Sequence, residues 1–180
     1  MTATPEQHDV VEVLTADHRA VRDLFAGYRA TPDPGRRRRL VNRITVEVVR
    51  HSVAEEAHLY PTVRKALPDG DRIADQEIEE LTEAERILSD LDAVDPLDRR
   101  FDPLVQDLMD VVSRHIRGEE DLVFPELRER LTPEERMALG LRVGEATAAA
   151  RSAPPVTPEG PGPGRTLADR VREQLTGRTR

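Results

Sequence analysis

The chain contains no cysteine. That excludes a disulfide framework, an iron–sulfur site and a thiolate nucleophile. Any metal it binds must therefore be held by histidine and carboxylate. Tryptophan is also missing, and aromatic residues make up only 3% of the chain. A core of Leu, Val, Ile and Ala favours helices over a sheet rich in Val, Tyr and Phe. Lysine occurs once, at Lys65, so the basic charge is nearly all arginine. The formal net charge of −8 argues against general nucleic-acid binding by the whole surface. No apolar run is long enough to span a membrane, and the residues from Met1 onward lack a basic-then-apolar secretion signal. These exclusions leave a soluble cytoplasmic protein as the expectation. With 180 residues, 37% hydrophobic and 34% charged, the chain suits one thin-cored domain plus an appendage.

What is present is a motif that occurs twice. The first copy is H-S-V-A-E-E-A-H-L-Y-P, from His51 to Pro61, and the second is H-I-R-G-E-E-D-L-V-F-P, from His115 to Pro125. Each runs on through a spaced [VL]-R-x-x-L, as Val63, Arg64 and Leu67 and as Leu127, Arg128 and Leu131. On a helix, His and Glu at i and i+4 share one face. Two such helices would aim four ligand-type side chains at each other.

Apolar spacing predicts helix one over about 7–30, with Leu14, His18, Val21 and Phe25 on one stripe. Thr31-Pro-Asp-Pro-Gly breaks it. Helix two is expected over about 36–67, opening on the basic run Arg36–Arg39, read as a solvated face. Leu40, Ile44, Val48, His51, Glu55 and His58 continue its inner face, and Pro61 should kink or interrupt it. Helix three is expected over about 72–91 and carries no histidine. Helix four, over about 98–131, holds the second copy, with Pro125 matching Pro61. Thr132-Pro-Glu-Glu135 is a capping box that opens a shorter fifth helix reaching about Ala150. Residues 151–165 are dense in Pro and Gly and read as a flexible linker. Residues 166–180 form a basic amphipathic tail, with Leu167, Val171 and Leu175 repeating every four residues. A loosely docked tail is the plain expectation, and a protein partner or an anionic surface the alternative. The fold class is all-α: an up-down-up-down four-helix bundle over 7–150, with the motif copies at similar heights on its parallel second and fourth helices.

The inward groups are then His18, His51, Glu55, His58, His115 and Glu119. Buried unpaired carboxylates and imidazoles each cost several kcal/mol, and no matching set of inward Lys or Arg is evident. A cation removes the conflict. Mixed imidazole and carboxylate ligands suit Fe, Mn or Zn. Two carboxylates able to bridge fit a dinuclear site. Iron is preferred because the ligands leave room for O2 or a related diatomic, with zinc and manganese as alternatives. Glu56 and Glu120 read as solvent-facing or supporting groups, Tyr60 and Phe124 as core, Glu77 and Glu80 as weak contributors, and His8 as surface.

Over about residues 10–150 the chain resembles the hemerythrin-like, or HHE cation-binding, family. The likeness rests on His18 within D-H-R-A-V-R-D-L-F and on the two H-x-x-x-E-E motifs, each followed by [YF]-P. The basic tail after a Pro/Gly linker is similar to that of actinobacterial members. The resemblance implies a four-helix bundle around a non-haem di-iron centre, oxo- or hydroxo-bridged, that binds O2 or NO or meets peroxide. It implies ligands at His18, His51, Glu55, His115 and Glu119, with Glu55 and Glu119 as bridges. The family also expects a histidine on helix three, where this chain has Leu81. His58, three residues after Glu55, is expected to substitute for it. A carrier or sensor is the favoured function, with a small diatomic or peroxide as its ligand and no enzymatic activity required. A weak peroxide- or NO-consuming oxidoreductase and a regulatory module with a single-metal site are the alternatives.

Overall fold

The computed structural model describes residues 8–152 and 166–177, and no strand occurs among them. In chain order the elements are α1 (Val10–Arg29), α2 (Pro34–Ala54), a π-helical turn π1 (Glu55–Leu59), α3 (Tyr60–Ala66), α4 (Gly70–Asp92), α5 (Phe101–Gly118), a second π-helical turn π2 (Glu119–Val123), α6 (Phe124–Arg130), α7 (Pro133–Ser152) and α8 (Leu167–Thr176). Four rods form the bundle: α1, α2–π1–α3, α4, and α5–π2–α6. Short connections make successive rods antiparallel, as expected.

The start of each rod has a local cause. Asp9 caps α1, accepting from Val11 N at 2.8 Å, while Glu12 reaches back to Asp9 N. Asp33 caps α2 and Pro34 occupies its first turn. The arginine run that opens α2 is not a uniform solvated face. Arg37 pairs with Asp102 at 3.0 Å, and Arg38 donates to the carbonyls of Leu91 and Val94, which ties the bundle end together.

Pro61 and Pro125 interrupt their rods in a specific way. Proline has no N–H and its ring crowds the carbonyl four residues back. Both rods absorb this by widening one turn just upstream. Tyr60 N and Phe124 N bond to the carbonyls of Glu55 and Glu119, five residues earlier, instead of four. Each E-E pair therefore sits at the opening of a π turn.

Two parts of the chain differ from expectation. The fifth helix keeps about its expected bounds but is not short beside the others: α7 spans 20 residues, as long as α1, and packs along α1 and α2. Its inner face is Leu139, Val143 and Thr147, while Leu141 is exposed. A Cβ at Gly140 would stand 2.2 Å from the His8 carbonyl oxygen, so glycine is what lets α7 lie against the entry to α1. The C-terminal segment is also not loose where it is described. Leu167, Ala168 and Val171 of α8 are buried in the main apolar cluster against α2 and α4. Most of the expected linker, residues 153–165, lies outside the described residues.

The core is divided into two apolar clusters. One gathers Val21, Phe25, Ile44, Val48, Leu88, Leu108 and their neighbours, with α8. The other gathers Leu14, Leu59, Val63, Leu81, Leu127 and Leu139. His18, His51 and His115 fall in sequence between members of the two clusters on their respective helices. The polar centre is the seam between them.

Candidate metal centre

Five side chains from three rods meet at this seam. His18 comes from α1, His51 and Glu55 from α2 and π1, and His115 and Glu119 from α5 and π2. All five are buried, and one ligating atom from each lies within 4.8 Å of all the others. His51 Nε2 is 2.9 Å from Glu55 Oε1, and His18 Nε2 is 3.3 Å from Glu119 Oε2. His115 Nε2 is 3.5 Å from Glu55 Oε2 and 3.8 Å from Glu119 Oε2, facing both carboxylates. The three Nε2 atoms, Glu55 Oε1 and Glu119 Oε2 are buried without a hydrogen-bond partner. Such atoms carry a desolvation penalty of about 1–3 kcal/mol each unless something satisfies them. A cation ligated by three imidazoles and two carboxylates does so for all five at once, so the residues fit a metal on their own chemistry.

The other ring nitrogens face carboxylates. His18 Nδ1 is 3.0 Å from Glu120 Oε1, His115 Nδ1 is 2.8 Å from Glu77 Oε2, and His51 Nδ1 is 3.9 Å from Asp17 Oδ2. A carboxylate at Nδ1 favours the tautomer that leaves Nε2 free to ligate. Asp17 is held in turn by the buried Arg50, which also pairs with Glu47. Glu77 is thus the contribution of α4, the expected helix three: it faces the imidazole of His115 in the absence of a histidine on its own rod. Leu81, where the family histidine was expected, is buried in the apolar cluster.

Gly118 has a role through Glu77. A Cβ there would stand 2.6 Å from Glu77 Oε1. That carboxylate ends a flexible side chain, so it can move, but it would move off His115. Gly118→Ala is expected to lower metal affinity about tenfold, as read by chelator competition, while unfolding free energy stays within about 1 kcal/mol of the parent, below the usual overpacking cost.

Tyr60 is more than core packing. Its buried hydroxyl donates to Glu55 Oε2 at 3.0 Å and lies 3.3 Å from Glu119 Oε1, tying the two candidate bridges together. Burial, with the charges of Glu55 and Glu119, holds the phenol proton on well above its ordinary range. Tyr60→Phe should destabilise the metal-free protein by about 1.5–3 kcal/mol, the usual value of hydrogen bonds to charged groups, in a denaturant titration. Phe124 occupies the matching place after π2 and stacks on His18, with ring centroids 5.6 Å apart and planes at 10°.

Charge is distributed unevenly. Burial pushes His18 down to about 4. Burial also opposes charge on His51 and His115. Glu55 and Asp17 nevertheless raise His51 to about 10, and Glu119, Glu55 and Glu77 hold His115 well above its ordinary value. Burial and the neighbouring Glu55 charge raise Glu119 to about 8. Burial would raise Glu55 too, but His51 and His115 hold it well below the usual carboxylate range. Without metal, the centre holds protons that a cation must displace.

The sixth expected ligand, His58, is not among the five. It is half-buried and close enough to Arg142 of α7 to feel its charge. The expectation placed His58 by α-helical spacing from His51 and Glu55. The wider turn of π1 changes that phase, so His58 no longer follows the face that His51 begins. His8 is exposed, as expected.

The family model for the Hemerythrin HHE cation binding domain matches residues 9–127. A curated relative from Nostoc sp., a DNA nickase, is 32% identical over 128 residues, covering 71% of this chain and 36% of that protein. An uncharacterized hemerythrin-like protein of Schizosaccharomyces pombe is 26% identical over 129 residues, covering 71% of this chain and 64% of the relative. The chain thus spans about a third and just under two thirds of the length of these two proteins. Among solved structures, a hemerythrin HHE cation binding domain-containing protein from Mycobacterium kansasii has the same fold, with a TM-score of 0.65 at 19% identity, over 81% of this chain and 94% of that one. With a family model that spans most of the bundle and a His/Glu cluster at its centre, the chain belongs to the hemerythrin HHE cation-binding domain family.

Proposed function

We propose that the protein holds a dinuclear non-haem iron centre at His18, His51, Glu55, His115 and Glu119, and uses it to bind or sense O2, NO or peroxide. The observation that carries this reading is the convergence of five buried ligating atoms that face one another and lack a hydrogen-bond partner. Bound iron would supply a redox-active Lewis acid for a small ligand. The chain supplies the rest. Glu55 and Glu119 arrive from different rods, each with two oxygens available for sharing. Tyr60 fixes both carboxylates. The imidazoles are oriented through Nδ1, and the apolar clusters on either side exclude water.

A second reading, one metal per chain, is favoured by a specific observation: α4 contributes no histidine and His58 does not join the five. The nickase name of the Nostoc relative is not carried over, because this chain spans 36% of that protein and has a formal net charge of −8. Optical spectra of the iron-loaded protein test the proposal. A charge-transfer band that shifts on adding azide, O2 or NO is expected. Rapid peroxide turnover would favour the oxidoreductase alternative, and the absence of any response would contradict the gas-binding reading.

A further inference from the structure

Both motif copies carry two glutamates in a row, and the metal centre uses only the first of each. The second has a matched role in the two copies. Glu120, in π2, receives a two-pronged contact from Arg22 of α1: Nη1 to Oε1 at 3.0 Å and Nη2 to Oε2 at 2.8 Å. Glu56, in π1, receives the same fork from Arg172 of α8: Nη1 to Oε2 at 3.1 Å and Nη2 to Oε1 at 3.0 Å. Parallel N–H···O pairs of this kind constrain orientation as well as adding energy.

The two arginines are not equivalent in setting. Arg22 lies at the surface and reaches the centre through Glu120, which touches His18. Arg172 is buried, and it straddles a junction. Besides Glu56 it donates to Ser52 Oγ at 2.8 Å and to Glu85 Oε2 at 3.1 Å, while Ser52 donates to Glu85 Oε1 at 2.6 Å. Ser52 follows His51 in the last turn of α2, and Glu56 follows Glu55 in π1. One guanidinium therefore grips the helix on both sides of the point where its winding changes from α to π. Ser52 and Glu56 are the chain neighbours of His51 and Glu55, so these contacts hold the turn that carries both side chains. The rest of α8 is built to hold the arginine there. Leu167, Ala168 and Val171 are buried in the core, Leu167 N donates to Asp92 Oδ2 at 3.1 Å, and Thr166 caps the helix. This helix lies beyond the part of the chain that the family model covers.

We propose that Arg172 is a positioning residue for the metal centre, so that the C-terminal helix completes a site whose ligands all lie in the bundle. This rests on the five-residue site being a metal site, but not on iron or on gas binding. Arg172→Gln in the full chain removes the charge and the fork while keeping comparable bulk. Glu56→Gln weakens the same contact from the other side and guards against misfolding of the first variant. Two readouts apply: Zn(II) affinity by chelator competition, and hydrogen exchange of the backbone amides of residues 55–60 in the metal-free protein. Each variant is expected to weaken Zn(II) binding about tenfold, the usual effect of losing an outer contact. Amide exchange in π1 should become at least several-fold faster with helix content by circular dichroism unchanged. The double variant should show little more than either single one. Zn(II) affinity within twofold of the parent in both single variants would overturn the proposal, even if exchange quickened. A parent that binds no Zn(II) would overturn the metal reading itself, and unchanged exchange in π1 would then dispose of the clamp as well.

Discussion

His115→Ala is expected to destabilise the metal-free protein by about 3–5 kcal/mol and to abolish tight metal binding. His115 is the imidazole that touches most of the centre's carboxylates: Glu55 and Glu119 through Nε2, and Glu77 through Nδ1. It is held well above its ordinary pKa by those same groups, so in the metal-free protein it is a buried cation whose charge is met chiefly by Glu55. Removing one partner of a buried ion pair leaves the others uncompensated, which is why the expected loss exceeds that of an ordinary cavity of the same size. Denaturant titration in the presence of a chelator measures the first effect and metal competition the second. A loss of less than about 1 kcal/mol, nearer the value of exposed ion pairs, would mean that the centre is wetter than its burial indicates.

The second large effect is a pair of opposed pH dependences. Metal ligation needs neutral imidazoles and ionised carboxylates. Near neutral pH the metal-free centre carries protons on His51 and His115, and largely on Glu119, whose pKa is raised to about 8. Each proton displaced on binding makes the affinity rise about tenfold per pH unit. Metal affinity should therefore climb at least tenfold per unit from pH 6 to 8, and rise less steeply above about 10, where His51 has titrated. The metal-free protein should do the reverse. His51, raised from its ordinary 6.5 to about 10, contributes stability that is fully present below 6.5 and is lost as pH rises through 10. Glu119, raised to about 8, has the same sign, because the folded state binds the proton more tightly than the unfolded chain does. Unfolding free energy without metal is thus expected to fall between pH 7 and 9, and with excess metal to hold or rise. Calorimetry over that range, with and without metal, checks both slopes. Parallel slopes would contradict the proton-for-metal exchange.

Much of this was legible from residue pattern, for a definite reason. The repeated H-x-x-x-E-E and the stripe through His18 report which face of each helix turns inward, and in an antiparallel bundle that suffices to bring His18, His51, Glu55, His115 and Glu119 together. His58 shows where pattern reading stops. A 3.6-residue period presumes an α-helix, and the widening before Pro61 shifts the phase of every residue after Glu55. The sequence did contain a signal, since a proline six residues after the first glutamate of the pair occurs in both copies, but it pointed to a kink, not to a π turn. Arg172 and Glu56 are 116 residues apart, and no local periodicity records such a pair. Asp17 and Glu120 sit beside His18 and Glu119 in the chain, yet their contacts with imidazole Nδ1 atoms depend on side-chain direction across rods. The docking of α8 was understated because its three apolar residues look too few to bury. Its anchor is a buried arginine, a residue type that sequence reading assigns to the surface.

The most direct measurement is the metal content of the full chain after anaerobic loading with Fe(II) and removal of loosely held ion, taken beside His115→Ala. A dinuclear centre built on His18, His51, Glu55, His115 and Glu119 predicts two irons retained per chain in the parent and none held tightly by the variant. One iron per chain would replace the dinuclear reading with the single-metal one. A parent that retains no more iron than His115→Ala would contradict the metal centre altogether.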